Sequence, residues 1–453
     1  MKYKKKKTDA RRFSLLVLQK VEEEGAYLNL ALANLIKEYE LDDRERRLAT
    51  EITYGVITHK LALKCLIEKI TGRPAEKLDR PVLLVLYIGF YQLFYLERIP
   101  EWVVVNTTVE LIKKTKKRAL APFVNGVMRA ALRRKGKMDP AGSGAGKVRY
   151  LSCRYSHPEW MVRRWLKRYG SEETEKLLAA NNMKSTVAAR VNTLRLSRRE
   201  LVALLAKENI KASESDIVPE GILLESAAGI TSLGAYRQGM LQLQGESAML
   251  VSRVLDPVPG SRVLDVCSAP GGKTAHMAAL MSDQGEIIAL DIHEHRLNLV
   301  QANAKRLGIG IIKTKLWDGR KPLPGRLGFF DYILLDVPCS GLGVIRKRPD
   351  IKWRRKEEDI AKLASDQLKL LCNAAAVLQT KGVLVYSACT NEPEETEMVI
   401  SAFLEKNRDF CAVSFAEYLP EKWRGEKFGL GLQLTVHRHG VEGFYISKLI
   451  KNG

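Results

Sequence analysis

The chain has 453 residues, 46% of them hydrophobic and 28% charged, with a formal net charge of +22. That balance excludes a disordered chain, and no run approaches the ~18–20 apolar residues of a membrane-spanning helix. The basic start MKYKKKKTDARRF lacks an apolar core and a cleavage site, so no signal peptide is expected, and the scattered, unpaired cysteines make a reducing cytoplasm the expected compartment.

Residues 1–150 hold 31 Lys+Arg against 17 Asp+Glu, a net +14, so one third of the chain carries most of the excess charge. The overall charge suits a polyanionic partner such as RNA, DNA or a membrane surface. The bland alternative is a surface tuned for solubility. Apolar residues recur at three and four in FSLLVLQKV, LNLALANLIKEY and VLLVLYIGFYQLFYL. With breaks at Gly25, Asp42-Asp43, Gly72 and Pro100, residues 9–134 read as a bundle of six or seven helices. KGKMDPAGSGAGKV, residues 135–148, has no apolar period and reads as a linker. Over 156–240 the periods mix. TVAARVNTL, GILLES and GMLQLQ suggest strands, and SRRELVALLAKENI a helix capped by Ser197 with Glu200 three residues on. A small α+β domain is expected there. From about 245, the runs SRVLDVC, GEIIALD, FDYILLD and GVLVYSA alternate with helical stretches, which predicts a parallel sheet covered on both faces. The expected division is a helical domain over 1–140, a linker over 141–155, a small domain over 156–240 and an α/β domain over 241–453.

VLDVCSAPGGKT, residues 263–274, is a strand, a small-residue loop and a helix start. Gly271 and Gly272 admit close approach of a ligand to the backbone, and the helix N-terminus offers free N–H groups. A phosphate-binding P-loop is the rival, but its first glycine would fall at Cys267. Asp291, twenty residues after Gly271, ends the second strand, where an acid accepts from ribose hydroxyls. Asp318, after the third, could reach an adenine amino group. Together these favour a nucleoside cofactor held without a phosphate cradle, a description S-adenosylmethionine fits.

The seven cysteines contain no CxxC pair, so neither a disulfide framework nor a zinc site is expected, and no metal. Cys65, Cys372, Cys153 and Cys411 read as small apolar fillers. Cys339 and Cys389 do not, because each follows the end of a predicted strand and so faces the crevice where open sheets bind ligands. A thiolate beside a methyl donor suggests attack at C6 of a cytosine, which turns C5 into a nucleophile, with an acid such as Asp336 stabilising the charged ring. The base would be flipped from a loop or bulge of RNA.

The segments CSAPGGKT, LLDVPCSGLGVIRKRPDIKW and YSACTNEPEE resemble the signatures of RNA cytosine-C5 methyltransferases, the Nop2/Sun family. The resemblance implies that Cys389 is the attacking nucleophile and that Cys339 promotes product release. It implies that Cys267, Ser268, Ala269, Pro270, Gly271, Gly272, Lys273, Asp291, Asp318 and Asp336 contact S-adenosylmethionine, with Asp336 also serving the base. Ala10-Arg11-Arg12, Tyr27-Leu28-Asn29, Asp43-Arg44 and Phe123-Val124-Asn125-Gly126-Val127 resemble a NusB-like RNA-binding domain. The implied fold is thus an all-α NusB-like bundle, a small α+β (RRM-like) domain and an α/β Rossmann-like methyltransferase. The fused arrangement implies 16S rRNA as partner, at the cytosine conventionally numbered 967, and a monomer. Departures from the family pattern at LQLQGES, Ala388, Thr435 and Glu442 touch no catalytic position and bear on substrate choice. Two rival readings stand beside this one: a tRNA methyltransferase of the same chemistry, and an inactive NusB-like binding module.

Overall fold

A computed structural model describes residues 6–141, 144–225, 229–426 and 428–453. They form two compact units. The first joins the chain up to Met183 with Ile345–Arg354, and the second joins Lys184–Val344 with Arg355–Gly453. Among the described residues no helix is long and apolar enough to cross a membrane.

The first unit carries helices Ala10–Glu22, Leu28–Glu38, Asp43–Thr58, Lys60–Thr71, Arg80–Tyr95, Glu101–Lys113 and Ala121–Arg134. A two-residue pairing joins β1 (Lys6–Lys7) to β2 (Tyr39–Glu40). Asp9 and Asp42 cap their helices by accepting from Arg12 N and Glu45 N. Arg80–Tyr95 is the central helix: every residue from Val82 to Leu93 is buried, as its unbroken apolar sequence requires. The stretch expected as linker is partly helical, over Lys147–Tyr155, and a further helical run, Glu159–Asn182, belongs to the same unit. Its burial period was masked because Gly170, at φ +75°, breaks the run between Trp165 and Leu177.

The segment Ile345–Arg354 completes this unit. Lys352 is fully buried and donates to Thr58 O at 2.7 Å, Ser156 O at 2.9 Å and Asn182 Oδ1 at 3.1 Å. Trp353 Nε1 donates to Ile57 O at 2.8 Å, and Arg354 to Gly25 O at 2.9 Å. These bonds use four backbone carbonyls and one side-chain amide oxygen of the helical unit as acceptors.

The second unit begins with β3 (Val187–Val191), β4 (Ala212–Glu214), β5 (Gly221–Leu224) and β6 (Leu241–Leu243), an antiparallel sheet in the order β4-β5-β3-β6. Helix Arg198–Lys207 starts with the expected capping box and buries Leu201 and Leu205. The main sheet comprises β7 (Arg262–Asp265), β8 (Glu286–Asp291), β9 (Ile312–Leu316), β10 (Phe330–Asp336), β11 (Leu378–Ala388), β12 (Phe410–Val413), β13 (Leu432–Leu434) and β14 (Phe444–Lys451). Its order is β12-β14-β11-β10-β7-β8-β9, with β13 also on β14. From β11 to β9 all pairs are parallel, but β14 runs antiparallel to β11, β12 and β13, so the sheet is mixed rather than wholly parallel. Only residues 435–443 separate β13 from β14, too few for a crossover to a parallel neighbour. The strand order reverses between β7 and β10, which places the ligand crevice beyond their carboxyl ends.

Candidate functional site

The loop leaving β7 turns tightly. Ser268 N and Oγ both donate to Leu290 O at 2.9 Å, and Gly271 N to Ser268 O at 2.8 Å. Gly271 has φ +95°, and a Cβ there would lie 3.0 Å from Val300 Cα, so the position requires glycine. Helix Gly272–Leu280 follows, and its first N–H groups face the loop. Asn303 donates to Pro270 O, and Arg296 to Ala269 O at 2.8 Å. Arg296 also pairs with Asp291 at 3.3 Å, and Asp291 Oδ1 accepts from His293 N. Asp291 therefore ends β8, where an acid was expected, and Arg296 ties it to the loop that leaves β7. Asp318 is further out. Both its oxygens are taken by Arg320 Nε and Nη2 at 3.0 Å, and this guanidinium holds the carboxyl below its ordinary value. That pairing uses the oxygens expected to meet an adenine, because a guanidinium two residues on is the nearer donor.

Asp336 closes β10 level with Ser387 of β11. Ser387 Oγ donates to Asp336 Oδ1, and Lys273 Nζ lies against Oδ2, each at 2.7 Å. The Lys273 ammonium also sits 5.1 Å from the centre of the Phe444 ring. The thiols follow a few residues past these register partners, with Cys339 Sγ and Cys389 Sγ 3.2 Å apart. Gly343 N donates to Cys389 O at 3.0 Å, and Arg355 donates to the carbonyls of Cys339 and Ser340. The structure thus brings Lys273, Asp336, Cys339 and Cys389 together. One expectation needs correcting: Cys339 is buried and packs into the apolar core beneath β10 and β11, rather than standing at an open loop tip. The hydrogen bond with Cys389, and then burial, push its thiol well above the ordinary value. Among the supposed fillers, Cys65 and Cys153 are buried, but Cys372 is exposed and Cys411 half-buried.

Sequence reasoning missed Asp265, the last residue of β7. It is fully buried and accepts from Thr274 Oγ1 at 2.7 Å on Oδ2, and among the described residues Oδ1 has no hydrogen-bond partner. Burial pushes its carboxyl up to about 7. It was read as part of an apolar strand because nothing in the alternation marks the carboxyl as unpaired. The Cys267 thiol is raised by burial and then by Asp265, Asp336 and Asp291. The carboxylates of Asp291 and Asp336 near one loop disfavour phosphate and favour a ligand rich in donors and positive charge. The unpaired Oδ1 of Asp265 and the glycine cradle fit a sulfonium nucleoside carrying an ammonium group and ribose hydroxyls. Among the described residues no cluster could hold a metal ion.

Three family models match the chain: the 16S rRNA methyltransferase RsmB/F family over residues 252–450, the NusB family over 8–133, and a ferredoxin-like domain of RsmF/B-like methyltransferases over 157–231. The chain is 38% identical over 452 residues to a Bacillus subtilis (strain 168) protein described as a probable ribosomal RNA small subunit methyltransferase B, covering 99% of this chain and 100% of the relative. It is 34% identical to ribosomal RNA small subunit methyltransferase B of Escherichia coli O1:K1 / APEC, again over 99% of this chain and 100% of the other. The crystal structure of PH0851 superposes with a TM-score of 0.82 at 25% identity, covering 99% of this chain and 100% of that one.

Proposed function

Because the chain belongs to the family of ribosomal RNA small subunit methyltransferase B proteins, we propose that it methylates C5 of a cytosine in 16S rRNA, at the position conventionally numbered 967, with S-adenosylmethionine as donor. The observation that carries this reading is the pair of thiols 3.2 Å apart beside the Lys273–Asp336 pair, where the strand order reverses. S-adenosylmethionine, when bound, supplies an electrophilic methyl group. The residues that would hold it are Cys267 to Lys273, Asp291 and Asp336, with Asp318 at the base end and Asp265 added to the set.

In this reading Cys389 attacks as the thiolate. Its sulfur bonds to C6, and the C5=C6 pair moves to C5. Asp336, fixed by Lys273 and Ser387, faces the ring nitrogen and stabilises the charge that develops there. After methylation C5 loses its proton, the C5=C6 bond re-forms and Cys389 departs, a release that Cys339 promotes. The basic first 140 residues and the small domain over 156–240 hold the RNA, residues 241–453 carry the reaction, and the enzyme works as a monomer in the cytoplasm.

The test uses labelled donor and 16S rRNA that lacks the modification, with tRNA in parallel. Label is expected on cytosine C5 of the rRNA. Cys389→Ala should abolish it. Cys339→Ala should accumulate a protein–RNA adduct that survives denaturant, and the double variant should not. Label on a base nitrogen, or full activity in Cys389→Ala, refutes the mechanism. Preferential labelling of the tRNA refutes the substrate.

A further inference from the structure

One buried carboxylate touches both cysteine loops and has no part in the chemistry above. Glu395 is fully buried. Its Oε1 accepts from Ser340 N at 2.7 Å and Gln367 Nε2 at 3.1 Å. Its Oε2 accepts from Ser340 Oγ and from Thr390 Oγ1, the latter at 2.9 Å. Ser340 follows Cys339 and Thr390 follows Cys389 in the chain. The two hydroxyls are 2.8 Å from each other. Gln367 also donates to Pro338 O at 3.0 Å, and Tyr386 OH to Glu395 O at 2.7 Å.

We propose that Glu395 is a positioning residue that sets the separation of the two thiols by gathering donors from both of their loops on one carboxylate. The proposal rests on the roles assigned above to Cys339 and Cys389. Four donors meet four lone-pair sites, so the carboxylate has no capacity left for a substrate. Burying it is costly, and burial raises its carboxyl. That cost is offset only where the four donors stay assembled. Beyond this cluster, the described residues join the loops by the bond from Gly343 N to Cys389 O and by the contact of the two thiols themselves. Losing Glu395 leaves only the contact between the Ser340 and Thr390 hydroxyls at the centre of the cluster, so the separation of the loops is held less tightly while each stays attached to its own strand. A misplacement of about 1 Å between reacting groups costs on the order of a hundredfold in rate.

The variants are Glu395→Ala, Glu395→Gln and Thr390→Val in the full chain. The first readout needs no RNA. Diamide oxidises the two thiols to a Cys339–Cys389 disulfide while it is itself reduced to the hydrazine, and intact mass follows the loss of two hydrogens. The second is turnover on rRNA, with kcat and KM separated. In Glu395→Ala, disulfide formation should slow at least tenfold. Its kcat should fall on the order of a hundredfold, with KM for RNA within about twofold. Glu395→Gln should restore most of both, because Oε1 still accepts while the two hydroxyls turn to accept from its amide. Thr390→Val removes one donor and should fall between. Wild-type disulfide formation in a folded Glu395→Ala overturns the proposal, as does a Gln variant no better than Ala. If Glu395→Ala does not fold, unchanged rates in Thr390→Val overturn it. Absence of any RNA adduct in Cys339→Ala would instead overturn the reaction assigned above, a separate outcome.

Discussion

Asp265→Asn is the most direct test of how the cofactor loop is built. The Asp265 carboxyl is pushed from 3.8 to about 7, chiefly by burial; Asp336 acts in the same direction, and Thr274 and Lys273 oppose it. The folded protein therefore keeps this proton up to about pH 7, whereas the unfolded chain gives it up near pH 4. Between those values the folded state binds more protons, so the group's contribution is full below the unfolded value and is lost as pH rises through the folded one. Three units correspond to about 4 kcal/mol over the whole window, and about 3 kcal/mol of that falls between pH 5 and pH 8. Asparagine keeps the bond from Thr274 Oγ1 and removes the titration. Urea unfolding of both proteins at the two pH values isolates the effect, since every other titrating group is common to them. The wild type should lose about 3 kcal/mol more than the variant on going from pH 5 to pH 8. Equal losses would refute the assignment of a raised, protonated carboxyl.

Two further changes probe separate features. Ser197→Ala removes the hydroxyl that caps helix Arg198–Lys207 and should cost about 1 kcal/mol of stability in urea; an unchanged midpoint would contradict the capping geometry. Gly343→Ala places a Cβ 2.0 Å from Gly443 O, so the loop after Cys339 must shift. Methyl transfer should fall on the order of a hundredfold in initial-rate assays, and a wild-type rate would show that the loop tolerates the shift.

The site was legible where chemistry and chain order coincide. β10 delivers Asp336 and β11 the second thiol because both runs are apolar, bounded and parallel, and their residues announce themselves as they end. The capping box at Ser197 was legible for the same reason, being contained within four residues. What escaped depends on distance along the chain. Arg296 lies on a helix whose charges look like a solvated face, and only the fold reveals that it grips Asp291 and Ala269 O. Glu395 sits in the acidic run NEPEE, where no local pattern separates the buried acid from its neighbours. Asp318 was found, but its partner two residues on was not weighed against a ligand. The antiparallel β14 reads from its own residues as one more apolar strand, since direction is set by the length of the connection before it.

The segment Ile345–Arg354 has a consequence for how the protein is made. Thr58 O, Ser156 O, Asn182 Oδ1 and Ile57 O all await donors on Lys352 and Trp353, and the ribosome adds 171 residues between Met183 and Arg354. At about 5–20 residues per second, the helical unit waits on the order of ten to thirty seconds for its last piece. During that interval most of its helices are complete while these four acceptors lack their donors on Lys352 and Trp353. Final closure of the first unit is thus timed by synthesis of the second, and a gene cut anywhere between the two codons yields a helical fragment that never receives its lysine.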